Sequence, residues 1–225
     1  MTPIPREFFA RTSVEVAPDL LGCVLEHETA EGLVAVELTE VEAYAGRADP
    51  ASHAYRGKTA RNAVMFGPPG RAYVYFTYGM YFCVNLVCQD PGTASAVLLR
   101  AGRVIEGEEL ARARRAGRRA GGDQDGAGLP VRDMSARDLA RGPGRLCQAL
   151  DIDRTLDGAD VCAAESPLRV RRRQTGADTT ARSAEKEICS GPRVGVSAAA
   201  DVPWRFWIGG DPTVSAYKRH VARRR

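Results

Sequence analysis

Between Gly32 and Ala45 the chain reads Leu33-Val34-Ala35-Val36-Glu37-Leu38-Thr39-Glu40-Val41-Glu42-Ala43-Tyr44, a run of period-two alternation with no helical repeat. Such a run is a strand, and it commits the chain to a sheet. Leu21–Glu28 is the matching strand before it, with Thr29–Gly32 as the turn and His27 beside that turn as a structural residue. Val34, Val36 and Leu38 share one face, and an unbroken strand puts Glu40, Glu42 and Tyr44 on that same face. Carboxylates would then sit on the core side, where each must be hydrogen-bonded, paired or used. Parity alone places a buried ion pair, with Arg100 as partner, slightly ahead of catalysis. A bulge near Thr39 would reverse the assignment of faces.

The next informative stretch is aromatic. Arg71–Tyr78 and Tyr81–Cys88 read as two strands joined by Gly79-Met80, a pair suited to a two-residue type II′ turn. Tyr78 and Tyr81 then flank the tip, where rings cannot all enter one core, and a base stacked on such a ring gains roughly 1–3 kcal/mol. Tyr73 and Phe76 are expected to pack on neighbouring elements. Asn85 interrupts an apolar strand, either as a satisfied core amide or as a reader of an exocyclic group on a base. Upstream, Ala51–Asn62 is a polar, basic loop in which Arg56, Lys58, Thr59, Arg61 and Asn62 offer donors to a phosphate backbone. Basic loops are more often plain solvated surface, so this signal is weak by itself.

Elsewhere, Glu7–Arg11 and Pro18–Leu21 read as short helical turns, Ala96–Arg100 as a strand and Val104–Arg119 as a helix with acids early and arginines late. Residues 118–140, Gly/Asp-rich over Gly121–Pro130, read as a mobile loop, and Pro143 opens another helix through Leu150. Arg169, Arg171, Arg172 and Arg173 form a second basic cluster, Gly191–Val196 and Arg205–Ile208 are closing strands, and residues 218–225 are a basic, frayed tail.

With 225 residues and no Pro/Ser-rich linker, one domain with one substantial core is expected. The formal net charge is only +4, but of 32 basic residues only Lys58, Lys186 and Lys218 are lysines. Arginine suits bidentate phosphate contact and stacking, although a GC-rich genome accounts for the bias equally well. The start Met1–Glu7 lacks the apolar core of a secretory signal and no run of 18 apolar residues occurs, so a soluble, cytoplasmic protein without membrane contact is expected. Six cysteines without a Cys-x-x-Cys pair read as reduced thiols, so no metal and no cofactor is expected.

Glu40-Val41-Glu42-Ala43-Tyr44, His53, Arg61-Asn62, Met65-Phe66, Tyr73-Val74-Tyr75, Tyr78–Asn85, Val97–Arg100, Gly142–Leu150 and Gly191–Gly195 together resemble the alkyladenine (3-methyladenine) DNA glycosylase family, in order and from about Leu20 to Val214. The resemblance implies an α+β fold: a single mixed domain with a mainly antiparallel curved sheet, surrounding helices and a protruding β-hairpin that enters the DNA minor groove. It implies Glu42 as the general base for the attacking water, held by Arg100 and the backbone of Val194. It implies Tyr44 and His53 as the walls stacked on a flipped base, Tyr75 as an edge-on neighbour and Asn85 as an obstacle to the 2-amino group of guanine. Tyr78 corresponds to the intercalating residue, and Lys58, Thr59, Arg61, Asn62, Met65 and Tyr81 to contacts with the DNA backbone. Val41 stands where mammalian relatives carry Thr, and the Gly121–Pro130 segment and Arg-rich tail follow no family pattern.

The implied substrate is double-stranded DNA containing damaged purines, such as 3-methyladenine, 7-methylguanine, hypoxanthine or ethenoadenine, attacked by a monomer. An N-glycosidic bond within a duplex is out of reach, so the nucleotide must be extruded, at a cost of a few kcal/mol. No lysine lies in the Glu40–Tyr44 or Tyr73–Asn85 motifs, so a Schiff-base lyase step lacks a nucleophile and a monofunctional hydrolase leaving an abasic site is expected. Two other classes compete: a damage-binding module without turnover, and a hydrolase of another substrate using the paired glutamates.

Overall fold

The computed structural model of the chain describes residues 2–77, 79–117, 134–173 and 187–219. The long alternating run forms β2 (Gly32–Tyr44), paired antiparallel along its first half with β1 (Val24–Thr29). On its other edge lies β5 (Ala96–Glu106), which in turn pairs with β4 (Tyr81–Val87), and β4 with β3 (Ala72–Thr77). The main path through the antiparallel sheet is β3-β4-β5-β2-β1-β7, with β7 covering Leu168–Arg171. Three short strands branch from it. β6 (Ala140–Arg141) pairs with the middle of β5, and β8 (Ile188–Gly191) pairs with β9 (Arg205–Ile208), which joins the far half of β2. The result is one α+β domain, as expected.

The unbroken-strand reading of β2 does not hold. Leu38 pairs with Gly102, Glu40 with Ala101 and Val41 with Leu99, so Thr39 in β2 and Arg100 in β5 lack register partners in that ladder. The two irregularities compensate, restoring the register while turning the strand over. Val34, Val36 and Leu38 lie in the apolar core before the bulge, and Val41 and Ala43 take over after it. Glu40, Glu42 and Tyr44 therefore face away from that core.

Helices cover the apolar face. α1 spans Arg6–Phe9, and α2 (Ser13–Leu20) begins with a capping box in which Thr12 and Glu15 satisfy each other's backbone N–H groups. Its Val16, Ala17 and Leu20 pack in the same cluster as Leu146, Ala149 and Leu150 of α4 (Pro143–Leu150). The helix expected over Val104–Arg119 starts later. Val104–Glu106 continue β5, and only Glu108–Gly117 form α3. Gly107 between them has φ +72°, and a Cβ there would lie 2.1 Å from the Leu33 carbonyl oxygen, so strand and helix are separated by a position open to glycine alone.

Three further expectations shift. The β3–β4 register ends at Thr77 with Tyr81, so three residues join the strands instead of two. The intervening Tyr78, the expected intercalating residue, lies outside the described residues. In the segment read as a mobile loop, residues 118–133 also lie outside them, but Ala136–Asp138 form a 3-10 turn and Ala140–Arg141 are strand β6. The closing strand falls at Ile188–Gly191 rather than Gly191–Val196, because it is Cys189 and Ser190 that pair with β9. Of the basic tail, residues 220–225 lie outside the described set. No helix among the described residues is long and apolar enough to cross a membrane.

Candidate active site

After the bulge, β2 carries Glu40, Glu42 and Tyr44 on one face, and β5 brings Arg100 opposite them. Both glutamates are fully buried, yet their surroundings differ. Glu40 accepts from Arg100 Nε at 2.9 Å, Arg205 Nε at 2.7 Å, and the Ser215 N–H and hydroxyl at 2.7 and 2.9 Å. Burial pushes its carboxyl up, but Arg100, Arg205 and Ser215 outweigh that and hold it below the ordinary glutamate value. Glu40 is the buried ion pair that parity suggested.

Glu42 is held more loosely, at the wall of a cavity of about 1130 Å3. The Val194 N–H donates to its Oε1 at 2.7 Å and the Tyr44 hydroxyl to its Oε2 at 2.8 Å. Arg100 Nη1 stands 3.3 Å from Oε1. Each carboxylate oxygen offers two lone pairs, so Oε2 keeps one directed to neither Tyr44 nor Arg100. Both contacts that the resemblance implied for Glu42, from Arg100 and from the Val194 backbone, are present, and the Tyr44 hydroxyl adds a third that sequence reasoning missed. Burial, then the neighbouring Glu42 charge, pushes the Tyr44 phenol well above its usual range, so it stays a neutral donor.

Aromatic rings line the same cavity. The His53 ring meets Tyr75 edge-on with centroids 4.5 Å apart, and its Nδ1 lies 3.1 Å from the Tyr73 hydroxyl. Burial, helped by the Arg61 charge, lowers the imidazole pKa, which favours the neutral ring. Asn85 is buried and donates through Nδ2 to the Tyr73 carbonyl at 3.2 Å while also lining the cavity. It is thus the satisfied core amide of the first sequence reading, placed so that it also lines the cavity.

The rim shows which donors remain available. Lys58, Thr59 and Arg61 are exposed, with the Arg61 guanidinium 5.7 Å from the Tyr75 ring centroid. Two members of the expected backbone-contact set are not surface groups. Asn62 is 2% exposed, donates to the His53 and Gly57 carbonyls at 2.9 and 3.0 Å and accepts from Thr59 N–H at 2.7 Å. It staples the loop that carries His53. Met65 is also buried, packed with Tyr73, Val87 and Ala96 in a second apolar cluster beneath that loop. Tyr81 stays partly exposed on β4, its ring against Gly144, where a Cβ would come within 3.0 Å.

One pair escaped the sequence reading altogether. Arg193 is fully buried and donates to both carboxylate oxygens of Asp49, at 2.5 and 2.8 Å, and to the Ala43 carbonyl at 3.0 Å. Its guanidinium carbon lies 4.7 Å from the Tyr44 ring centroid and 5.3 Å from that of Trp204. Asp49 in turn accepts from the Ala45 and Ala51 N–H groups. The pair thereby joins the end of β2, the loop leading to His53 and the segment that presents the Val194 N–H. Gly46 makes the turn between them with φ +58°, and a Cβ there would overlap the Ala94 carbonyl. The signal in sequence was the Gly191-Pro192-Arg193 motif, but nothing in it pointed to Asp49.

Residues 7–212 match the family described as methylpurine-DNA glycosylase. A protein of Streptomyces avermitilis is 54% identical over 226 residues, which cover 100% of this chain and 96% of the relative. One from Leifsonia xyli subsp. xyli is 51% identical, covering 96% and 93%, and one from Methanocella arvoryzae is 44% identical, covering 96% of each. All three carry the name 3-methyladenine DNA glycosylase as a provisional assignment. With the match spanning nearly the whole chain, including every element that builds the cavity wall around Glu42, the protein belongs to the methylpurine-DNA glycosylase family.

Proposed function

We propose that this chain takes damaged purines, of the 3-methyladenine, 7-methylguanine, hypoxanthine or ethenoadenine type, out of duplex DNA and hydrolyses their N-glycosidic bond. The carrying observation is Glu42: a buried carboxylate, held by three donors, facing a cavity whose other walls are Tyr44, His53, Tyr75 and Asn85. In this reading the flipped purine stacks between Tyr44 and His53 and Asn85 excludes a 2-amino group. A water hydrogen-bonded to the remaining Oε2 lone pair attacks the anomeric carbon, giving its proton to Glu42 as the base departs. Alkylation at N3 or N7 already makes the purine a good leaving group, so charge stabilisation and water placement are the main demands. Exposed Lys58, Thr59 and Arg61 contact the phosphate backbone, and Tyr78, by its position in the chain, fills the vacated stack. The monomer acts without a lyase step, since no lysine lines the cavity among the described residues.

The test is single-turnover base release from duplexes carrying each lesion, with Glu42→Gln beside the wild type. Glu42→Gln is expected to slow release by about 10²–10⁴-fold, the range for loss of a positioned general base. Release at the wild-type rate would remove Glu42 from the mechanism, and no release of any lesion by the wild type would remove the substrate class. Borohydride-trappable adducts with strand cleavage would refute the monofunctional reading.

A further inference from the structure

Glu40 is too elaborately held to be merely an unused twin of Glu42. Its four hydrogen bonds come from three segments: β5 through Arg100, β9 through Arg205, and the segment after β9 through Ser215. That last segment is itself fixed in place. The Thr213 hydroxyl lies 2.7 Å from that of Thr39, the bulged residue of β2, and the Val214 carbonyl accepts from Arg141 Nε at 2.9 Å.

Arg100 is where this network meets the cavity. Its guanidinium distributes its donors: Nε to Glu40 at 2.9 Å, Nη2 to the Ser215 hydroxyl at 3.4 Å, and only Nη1 toward Glu42 at 3.3 Å. A guanidinium and a carboxylate left to themselves close to a bidentate pair at about 2.7–2.9 Å. Such a pair would occupy both oxygens of Glu42 and weaken it as a proton acceptor. The compensating irregularities leave Arg100 without a register partner, between Ala101 opposite Glu40 and Leu99 opposite Val41, next to the carboxylate that it meets.

We propose that Glu40 is a positioning residue for the chemistry at Glu42: with Ser215 it holds Arg100 by two of its nitrogens, so that the guanidinium meets Glu42 through the third alone. Glu40 touches no substrate and lies outside the cavity lining; it acts through Arg100. The inference rests on the reading of Glu42 as the base. It deepens that reading by giving the second glutamate of the motif a task distinct from stability.

The experiment is single-turnover release of hypoxanthine from duplex DNA at saturating enzyme, for wild type, Glu40→Gln, Arg100→Lys, the double variant, Ser215→Ala and Glu42→Gln. Equilibrium binding to a duplex carrying an abasic-site analogue is measured alongside. Glu40→Gln is expected to lower the rate at least about tenfold, within the range for loss of electrostatic positioning, with duplex affinity held within about twofold. Because it acts through Arg100, adding it to Arg100→Lys should lower the rate by less than about twofold more, a non-additivity that a purely structural residue would not produce. Removing a buried charge strains folding, so Ser215→Ala serves as the gentler probe. It keeps the main-chain donor to Glu40, loses the hydroxyl that touches both Glu40 and Arg100, and is expected to slow release about threefold. Rates within about twofold of wild type for the folded variants, or multiplicative losses in the double variant, overturn the proposal. A dead Glu42→Gln beside an unimpaired Glu40→Gln overturns this inference alone, whereas a fully active Glu42→Gln overturns the reading of Glu42 and this inference with it.

Discussion

The inner wall of the cavity and its rim are built on opposite principles. In and behind the inner wall, Glu40, Glu42, Arg100, Arg193 and Arg205 are buried, and their hydrogen bonds and ion pairs run to one another, to Asp49, Tyr44 and Ser215 and to backbone groups, while Arg193 Nε has no partner among the described residues. At the rim, Lys58, Thr59, Arg61, Met80 and Tyr81 are exposed. A wall that must orient a reacting carboxylate gains from being fixed before the substrate arrives, since no reorganisation is then needed in the transition state. A rim that follows a phosphate backbone of any sequence gains from side chains that can adjust. Substitutions should therefore divide cleanly, those of the wall acting on stability and rate, those of the rim on salt-dependent affinity.

The hardest test of that division is Arg193. Arg193→Met leaves Asp49 buried without its cation and removes the guanidinium from behind Tyr44, and is expected to lower unfolding stability by about 3–5 kcal/mol in chemical denaturation. A loss below about 1 kcal/mol, typical of exposed pairs, would show that the wall is not fixed in the way its geometry suggests.

Next comes Asn62, which sits sequentially in the rim loop but behaves as wall. Asn62→Ala deprives the His53 and Gly57 carbonyls of their donor and should destabilise by about 1–3 kcal/mol in thermal or chemical unfolding. If instead stability is unchanged and only DNA affinity falls, Asn62 belongs with the surface donors after all.

Acid titration separates the two regions more finely. The folded-state pKa of Glu40 is depressed by its arginine and Ser215 contacts below an unfolded value of about 4.3. Its stabilising contribution is thus fully present above the unfolded value and is lost as pH falls through the folded one. The melting temperature should hold from neutral pH to about 5 and fall beneath it, with Glu40→Gln giving a shallower acid limb. An equally steep limb in the variant would assign the acid sensitivity elsewhere.

The smallest effect belongs to the rim itself. Arg61→Ala should leave stability within about 0.5 kcal/mol. Its signature is in binding, where the slope of log affinity against log salt should fall by about 0.9 for the one phosphate contact removed. An unchanged slope would detach Arg61 from the DNA backbone.

Legibility in the sequence followed the range of the interactions. β1, most of β2, the β3–β4 hairpin and the start of α4 were readable because period-two alternation, turn chemistry and a proline at the first helical position act over a few residues. Val104–Glu106 were misread because acids ahead of arginines imitate a helix start, while pairing with Ala35 and Val36 made them strand. Asn62 and Met65 look like loop residues beside Arg61, and only packing beneath the loop reveals them as interior.

The sequence by itself determined the sheet-based fold, the family and the presence of two glutamates on one side of one strand, because alternation is local and the motifs are long. Only the tertiary structure decided how differently the two are surrounded, Glu40 enclosed by Arg100, Arg205 and Ser215 and Glu42 set at the cavity wall. The bulge that turns β2 over exists through a compensating irregularity in β5, and Arg193 meets Asp49 across 144 positions of chain. Contacts of that range leave no periodic trace, since each depends on where a distant segment comes to rest and not on the residues beside it.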